Sequence, residues 1–124
     1  MTILNLTQHK ATPEQLEAGV VDLPDTTQLV NLLTFTERPD WNELKTRSNR
    51  IAKLAGDFNK SSPIDACMIG GAPFLMPDLQ KALHNNAFEV LYAFSKRVTI
   101  EKMDKDGNLI KTSIFKHEGF IIAV

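Results

Sequence analysis

The chain has 124 residues, enough for one domain with a single hydrophobic core. Hydrophobic residues make up 43% and charged residues 23%, as in ordinary globular proteins, and the net charge of -1 provides no basic field to attract long nucleic acid. The one cysteine, Cys67, cannot form an intramolecular disulfide, which fits a reducing compartment. No apolar run approaches the roughly 20 residues that cross a bilayer, and no signal peptide is evident. We therefore expect a cytoplasmic protein without a membrane segment.

The first fifteen residues predict a strand, a polar loop and a helix. Residues 3–6 are mostly apolar and typical of a buried strand, and Thr7, Gln8, His9 and Lys10 follow at once. The sequence Thr12-Pro13-Glu14-Gln15 has the pattern of a capping box with proline at the first helical position. In α/β folds such a loop is a common place for an anion to bind.

The middle of the chain predicts a second strand and two helices. Residues 20–23 form the strand, and a helix follows through residues 29–33. After a connector at 34–39, Asp40 is a good N-cap for a helix from Trp41 to about Phe58. We expect residues 59–63 to form a linker because they combine asparagine, serine and proline.

The last half of the chain predicts a buried strand over 64–69, a break at 70–73, a helix over 74–85 and another buried strand over 88–94. Residues 95–97 are expected to form a loop at the end of that strand. An Asp-Gly turn then joins alternating segments 98–103 and 108–115 into a β-hairpin, and residues 120–124 form an apolar tail. The order predicts an α/β fold: one Rossmann-like domain over residues 1–124, with a mostly parallel sheet flanked by helices and a C-terminal β-hairpin at its edge.

Three predicted loops carry chemistry at the carboxyl ends of strands, where α/β sheets bind ligands. The first contains Thr7, Gln8, His9 and Lys10. The second contains glycines that would let a ligand approach backbone N–H groups at a helix start, and the third provides a hydroxyl and two cations. These two loops consist of Gly70-Gly71-Ala72 and Ser95-Lys96-Arg97. Together the loops suit a phosphodiester or nucleotide.

Each feature also has a purely structural explanation. His9 is compatible with a loop histidine that only bonds its neighbours, Gly70-Gly71 with a plain strand-to-helix turn, and Lys96-Arg97 with a solvated strand end. His84 and His117 fit structural positions better than catalytic ones. No histidine pair has metal-ligand spacing and no GxSxG motif occurs, so we expect no metal site, no cofactor and no serine-hydrolase elbow.

Three segments resemble small stand-alone CRISPR-associated Rossmann-fold (CARF) proteins of the ring nuclease type. They are the opening strand, loop and helix, the strand that leads into the basic pair, and the end of the hairpin. In this sequence they read Asn5-Leu6-Thr7-Gln8-His9 through Thr12-Pro13-Glu14-Gln15, Leu91-Tyr92-Ala93-Phe94 into Ser95-Lys96-Arg97, and Lys111-Thr112-Ser113-Ile114-Phe115-Lys116-His117. Residues 26–60 show no match.

The resemblance implies a homodimer that holds a cyclic oligoadenylate across its two-fold axis. It also implies cleavage without a metal, in which a ribose 2′-hydroxyl attacks the adjacent phosphate and leaves a 2′,3′-cyclic phosphate. In the matching loops, the expected catalytic residues are His9, Gln8, Lys96 and Ser95. The expected ligand contacts are Asn5, Thr7 and Arg97 in the matching segments, together with Gly70, Gly71 and Ala72 of the glycine loop, which lies outside them.

The chemistry of these residue types agrees with that assignment. The imidazole of His9 can move a proton, whereas Lys96, Arg97 and the Gly70-Gly71 backbone can stabilise charge on phosphate. Two alternatives stay open. One is a sensor that binds a cyclic nucleotide without cleaving it, and the other is a phage or defence interaction protein that uses the Trp41 helix as its contact face.

Overall fold

The computed structural model describes residues 1–124, which form one five-stranded sheet and four helices. In chain order the elements are β1 (Ile3–Leu6), α1 (Pro13–Glu17), β2 (Val20–Asp22), α2 (Thr27–Leu33), α3 (Trp41–Ser61), β3 (Ala66–Ile69), α4 (Met76–Asn85), β4 (Glu89–Met103) and β5 (Leu109–Ala123). The strand order is β2-β1-β3-β4-β5, with β1 to β4 parallel and β5 antiparallel to β4. The predicted fold class, including the C-terminal hairpin at the sheet edge, is confirmed.

Strands β1 and β3, inside the sheet, are buried along their whole length, which explains why they appear in the sequence as short, almost continuous apolar runs. Alternate residues point to opposite faces. Leu4, Leu6, Cys67 and Ile69 join α2, α3 and α4 in the main core of 17 buried residues. The other face has a core of only five buried residues, and α1 contributes none of them. Helices therefore cover the two faces of the sheet very unequally.

The helices follow their sequence signals, with changes at two boundaries. Asp40 caps α3 as expected, since its Oδ1 accepts a hydrogen bond from the Glu43 N–H at 2.8 Å. However, α3 continues to Ser61, so the prediction of a linker that begins at residue 59 is wrong. Helix α4 begins at Met76 rather than at residue 74, because residues 73–75 form a turn in which the Leu75 N–H donates to the Ala72 carbonyl.

The largest correction concerns the segment Ser95-Lys96-Arg97. It is not a loop at a strand end but lies inside β4, which runs unbroken for 15 residues. Strand β5 pairs with β4 along this whole length and carries it past the point where the parallel sheet stops, at the pair Ile69–Tyr92. The expected apolar tail also belongs to β5. We call residues 93–120, which continue beyond the sheet as a two-stranded extension, the arm.

The arm starts with a β-bulge and ends in the predicted turn. Phe94 pairs with Gly119 and Ser95 with His117, which leaves Glu118 as the extra residue. At the far end the Asp104 carboxylate accepts hydrogen bonds from the N–H groups of Asp106 and Asn108, and Gly107 has a φ of +81°. No helix of the protein combines the length and apolar character needed to cross a membrane.

Candidate functional site at the carboxyl edge of the sheet

A pocket of about 550 Å³ opens where β1, β3 and the start of the arm meet. The loop after β1 forms one wall, and the end of β3 with its glycines forms another. The lining residues are Thr7, Gln8, His9, Lys10, Thr12, Gln15, Met68, Ile69, Gly70, Gly71, Tyr92 and Ala93. Two of the three segments singled out in the sequence therefore meet here, at the carboxyl edge of the parallel strands.

The loop after β1 is folded around the side-chain amide of Asn5. This side chain is 4% exposed and uses both ends of its amide. Its Nδ2 donates to the His9 carbonyl at 2.7 Å and to the Asp22 carboxylate at 2.8 Å, and its Oδ1 accepts from the Thr7 N–H and hydroxyl. Asn5 thus has no free polar atom with which to bind a ligand directly. It fixes the loop that carries His9.

Asp22 and Gln8 complete the support of this loop. The Asp22 carboxylate also accepts from the Ala11 N–H, and it joins the loop to β2. The Gln8 side chain donates from Nε2 to the Leu33 carbonyl at 3.1 Å and to the Thr34 hydroxyl at 3.3 Å, at the end of α2. Gln8 is therefore anchored by its amide nitrogen, and only its Oε1 is free to contact a ligand.

His9 and Lys10 are the pocket groups that remain available. Both are exposed, and neither the imidazole nor the ammonium forms a hydrogen bond or ion pair within the protein. No aspartate or glutamate lines the pocket. A cation and an imidazole in a pocket lined by no carboxylate favour an anionic ligand over a cationic one, and the nearby Asp22 carboxylate is taken up by the Asn5 amide and the Ala11 N–H.

The predicted capping box at the next wall is confirmed. The Gln15 N–H donates to the Thr12 hydroxyl at 3.2 Å, and the Thr12 N–H donates to Gln15 Oε1 at 3.0 Å. Each side chain accepts a hydrogen bond from the other residue's backbone N–H, so Thr12 and Gln15 hold the helix start that forms this wall of the pocket.

The glycine segment opens the pocket toward a neighbouring hollow. Gly71 has a φ of +142°, a conformation that favours glycine, whereas a Cβ on Gly70 would make only an ordinary contact with Thr7. Because α4 begins five residues later, Gly70 and Gly71 are not the start of a helix as expected. Ala72 does not line the pocket.

Tyr92 divides the pocket from a second hollow of about 560 Å³ above α4. Its hydroxyl donates to Gln80 Oε1 at 3.3 Å, and burial raises the pKa of the phenol. Sequence reasoning missed Tyr92 as a pocket residue. Its position at the end of a buried strand could have predicted that it lies at the carboxyl edge of the sheet.

The third segment does not reach this pocket within one chain. Ala93 is the last lining residue of β4, and Ser95, Lys96 and Arg97 lie about 7–13 Å farther along the strand at 3.3 Å per residue. Ser95 pairs with His117, and the Arg97 guanidinium lies 5.7 Å from the centre of the Phe115 ring. The structure therefore brings His9 together with the glycines but not with the basic pair.

Nowhere in the chain do three or more histidine, cysteine, aspartate or glutamate side chains form a group that could hold a metal ion. His84 is exposed in the last turn of α4, and His117 stacks edge-on against Phe120 with ring centres 4.9 Å apart. Neither histidine lines the pocket.

The fold and site define a small α/β protein with a carboxylate-free pocket at the carboxyl edge of a parallel sheet. A protein-family model described as "Uncharacterized protein MJ1673 family" matches residues 1–121, so the chain belongs to that family. Comparisons with curated proteins and with solved structures found no match.

Proposed function

We propose that this protein is a ring nuclease of the CARF type, which degrades cyclic oligoadenylate in the cytoplasm, in or against type III CRISPR signalling. The observation that carries the proposal is the pocket at the carboxyl edge, where the free His9 imidazole and Lys10 ammonium face a space lined by no carboxylate. A phosphodiester needs both a positive charge and a group that moves a proton.

The proposed reaction is an internal displacement at phosphorus. The ribose 2′-oxygen forms a bond to the adjacent phosphorus while the bond from phosphorus to the 5′-oxygen breaks. His9 takes the 2′-hydroxyl proton, and the leaving 5′-oxygen gains a proton from the resulting imidazolium or from water. The product is a linear oligoadenylate with a 2′,3′-cyclic phosphate, and the reaction uses no metal.

The other site residues take supporting roles in this proposal. Lys10 and the Gly70-Gly71 backbone stabilise charge on the phosphate, and Thr7 orients the ribose. Asn5 and Gln8 position the loop rather than react, because their amides are bonded within the protein. A ring of several nucleotides extends past one pocket. We propose that it lies across a homodimer and reaches Lys96 and Arg97, where the arm leaves the parallel sheet.

Incubation with cyclic tri-, tetra- and hexa-adenylate in EDTA, followed by chromatography, tests the proposal. We expect the wild type to yield a linear product from at least one ring. His9→Ala should slow turnover about 10²- to 10⁴-fold, the typical contribution of a positioned acid or base. The matched control is His84→Ala, an exposed histidine outside the pocket, which should leave turnover unchanged. Failure of the wild type to produce a linear product from any ring would end the nuclease proposal.

One observation favours a sensor that binds without cleaving. His9 is the only histidine that lines the pocket, so a single imidazole would have to serve as both the base and the acid of the displacement. A sensor should show a higher melting temperature in the presence of a cyclic oligoadenylate, with the ligand recovered intact. The same incubation, analysed for ligand and product, separates the two functions.

A further inference from the structure

Helices α3 and α4 line a small polar pocket that shares no residue with the site at the carboxyl edge. Its volume is about 200 Å³, whereas pockets for drug-sized ligands hold roughly 300–1,000 Å³. On each helix the lining residues are spaced by three or four positions, so they share one face. They are Lys45, Ser48 and Asn49 of α3, and Asp78, Lys81, Ala82 and Asn85 of α4. We call this space the interhelix pocket.

The floor of the interhelix pocket contains a buried hydroxyl without a partner. Ser48 lines the pocket but is only 1% exposed, and its Oγ forms no hydrogen bond. Hydroxyl side chains on helices commonly donate back to a carbonyl three or four residues earlier. Thr34 and Ser61 do so near their helix ends, to the carbonyls of Val30 and Phe58. Because an unpaired buried polar group is costly, Ser48 calls for a partner that the chain does not supply.

The groups around this hydroxyl are mostly hydrogen-bond donors. Lys45 and Lys81 provide two ammonium groups. Asn49 and Asn85 provide two side-chain amides. None of these four forms a hydrogen bond or an ion pair within the protein, although the Lys45 ammonium lies 5.2 Å from the centre of the Trp41 ring. Two positive charges against a single carboxylate leave the pocket positive, which favours an anionic ligand.

The carboxylate in the pocket limits which anion fits. Asp78 lies in the first turn of α4, is half-buried and forms no ion pair with either lysine. An ionised carboxylate only accepts hydrogen bonds, so it suits an anion that still carries a proton. A phosphate group is partly protonated near neutral pH, whereas sulfate has no proton to donate. The donors and the carboxylate together therefore suit phosphate better than sulfate.

We propose that the interhelix pocket binds a phosphate group that keeps one proton. The two ammonium groups, the two amides and the Ser48 hydroxyl donate to its oxygens, and its own hydroxyl donates to Asp78. The volume suits inorganic phosphate or a small phosphate monoester. Because this site and the pocket at His9 share no residue, the proposal stands or fails independently of nuclease activity.

An NMR titration of isotope-labelled protein with inorganic phosphate, at an ionic strength held constant with sodium chloride, tests the site. We expect saturable shifts of the backbone amide signals of residues 45–49 and 78–85. Phosphate bound at the carboxyl edge would instead shift the signals of residues 7–10, so one experiment distinguishes the two pockets. Absence of saturable shifts at 45–49 and 78–85 up to tens of millimolar phosphate would overturn the proposal.

Two substitutions of the same kind separate a built site from general attraction to positive charge. Lys81→Gln removes a charge from the interhelix pocket, whereas Lys53→Gln removes one from an exposed position of α3 outside it. We expect the Kd for phosphate to rise about tenfold or more in Lys81→Gln and in Ser48→Ala, since each loses a hydrogen bond to a charged group. Lys53→Gln should leave the Kd unchanged. Equal losses at the two lysines, or an unchanged Kd in Ser48→Ala, would contradict a site built around the buried hydroxyl.

A comparison of anions tests the role of Asp78. Sulfate should bind the wild type about tenfold more weakly than phosphate, and Asp78→Asn should reduce this preference because an amide can donate to sulfate. Equal affinities of the wild type for phosphate and sulfate would overturn the assignment of a protonated ligand. Methyl phosphate identifies the source of the group: tighter binding than inorganic phosphate supports a monoester, and weaker binding supports the free ion.

Discussion

Asn5 is a buried amide whose four hydrogen bonds shape the candidate site. We expect Asn5→Asp to lower the free energy of unfolding by about 2–4 kcal/mol, although the two side chains are nearly the same size. The new oxygen would replace Nδ2 and face two acceptors, the His9 carbonyl and the Asp22 carboxylate, at 2.7 and 2.8 Å. Urea unfolding measures the change.

The control for Asn5 is the same substitution on the surface. Asn42 is exposed near the start of α3, where an added negative charge is weakly favourable, so Asn42→Asp should change stability by less than about 0.5 kcal/mol. Similar effects at the two positions would show that the amide network does not hold the loop.

Burial of Cys67 predicts a loss of stability in alkaline solution. Desolvation raises the pKa of the thiol from 9.0 to about 12. Above pH 9 the thiol ionises in the unfolded chain but stays protonated in the folded one, so each pH unit up to about 12 lowers the free energy of unfolding by about 1.4 kcal/mol. Below pH 9 the thiol is protonated in both states and has no such effect.

The measurement compares urea unfolding of the wild type and Cys67→Ala at pH 8, 9 and 10. Tyr92 and the lysines are common to both proteins, so the difference between the two pH slopes reports Cys67 alone. We expect the wild type to lose stability more steeply than the variant above pH 9. Parallel slopes would be inconsistent with a buried, protonated thiol.

At the scale of elements, the 21-residue helix α3 contains a glycine that its geometry does not require. A Cβ on Gly56 would meet nothing within 4 Å. Because glycine weakens a helix interior, Gly56→Ala should raise the free energy of unfolding by about 0.5–1 kcal/mol. Thermal or urea unfolding tests this.

Gly19, between α1 and β2, provides the contrast. Its φ is +101°, and a Cβ there would overlap the Met1 carbonyl. Gly19→Ala should therefore destabilise the protein by about 2 kcal/mol or more. An equal response to alanine at the two glycines would contradict these backbone conformations.

The sequence predicted those elements whose signals are local. The capping box at Thr12, the cap at Asp40 and the buried runs of β1 and β3 each appear within a few neighbouring residues. The continuity of β4 does not, because residues 95–97 are polar and stay in a strand only through pairing with β5, about twenty residues away. Sequence-local patterns do not reveal such a partner.

The same limit separates the two parts of the candidate site. His9, Gly70 and Gly71 follow directly after buried strands, so their meeting at one edge of the sheet could be predicted. The position of Lys96 and Arg97 could not be predicted in the same way, because it depends on the continuation of β4 to Met103 through pairing with β5. The role of Asn5 depended on contacts with Thr7, His9 and Asp22, although a polar residue inside an apolar strand already signals a buried partner.

For the whole molecule, the unequal distribution of buried residues predicts two levels of stability. The body has a main core of 17 buried residues, whereas no residue of the arm is buried within one chain. Amides of the arm should therefore exchange hydrogen faster than amides of β1 and β3, whose residues are buried.

Hydrogen exchange followed by mass spectrometry of peptides measures this difference. We expect peptides from residues 93–120 to exchange at least about tenfold faster than peptides from β1 and β3, since a two-stranded hairpin is marginal on its own. Peptides from β1 and β3 should exchange slowly, because their protection depends on the core of the body. Protection of the arm equal to that of β1 and β3 would contradict two levels of stability and would mean that arm and body unfold together.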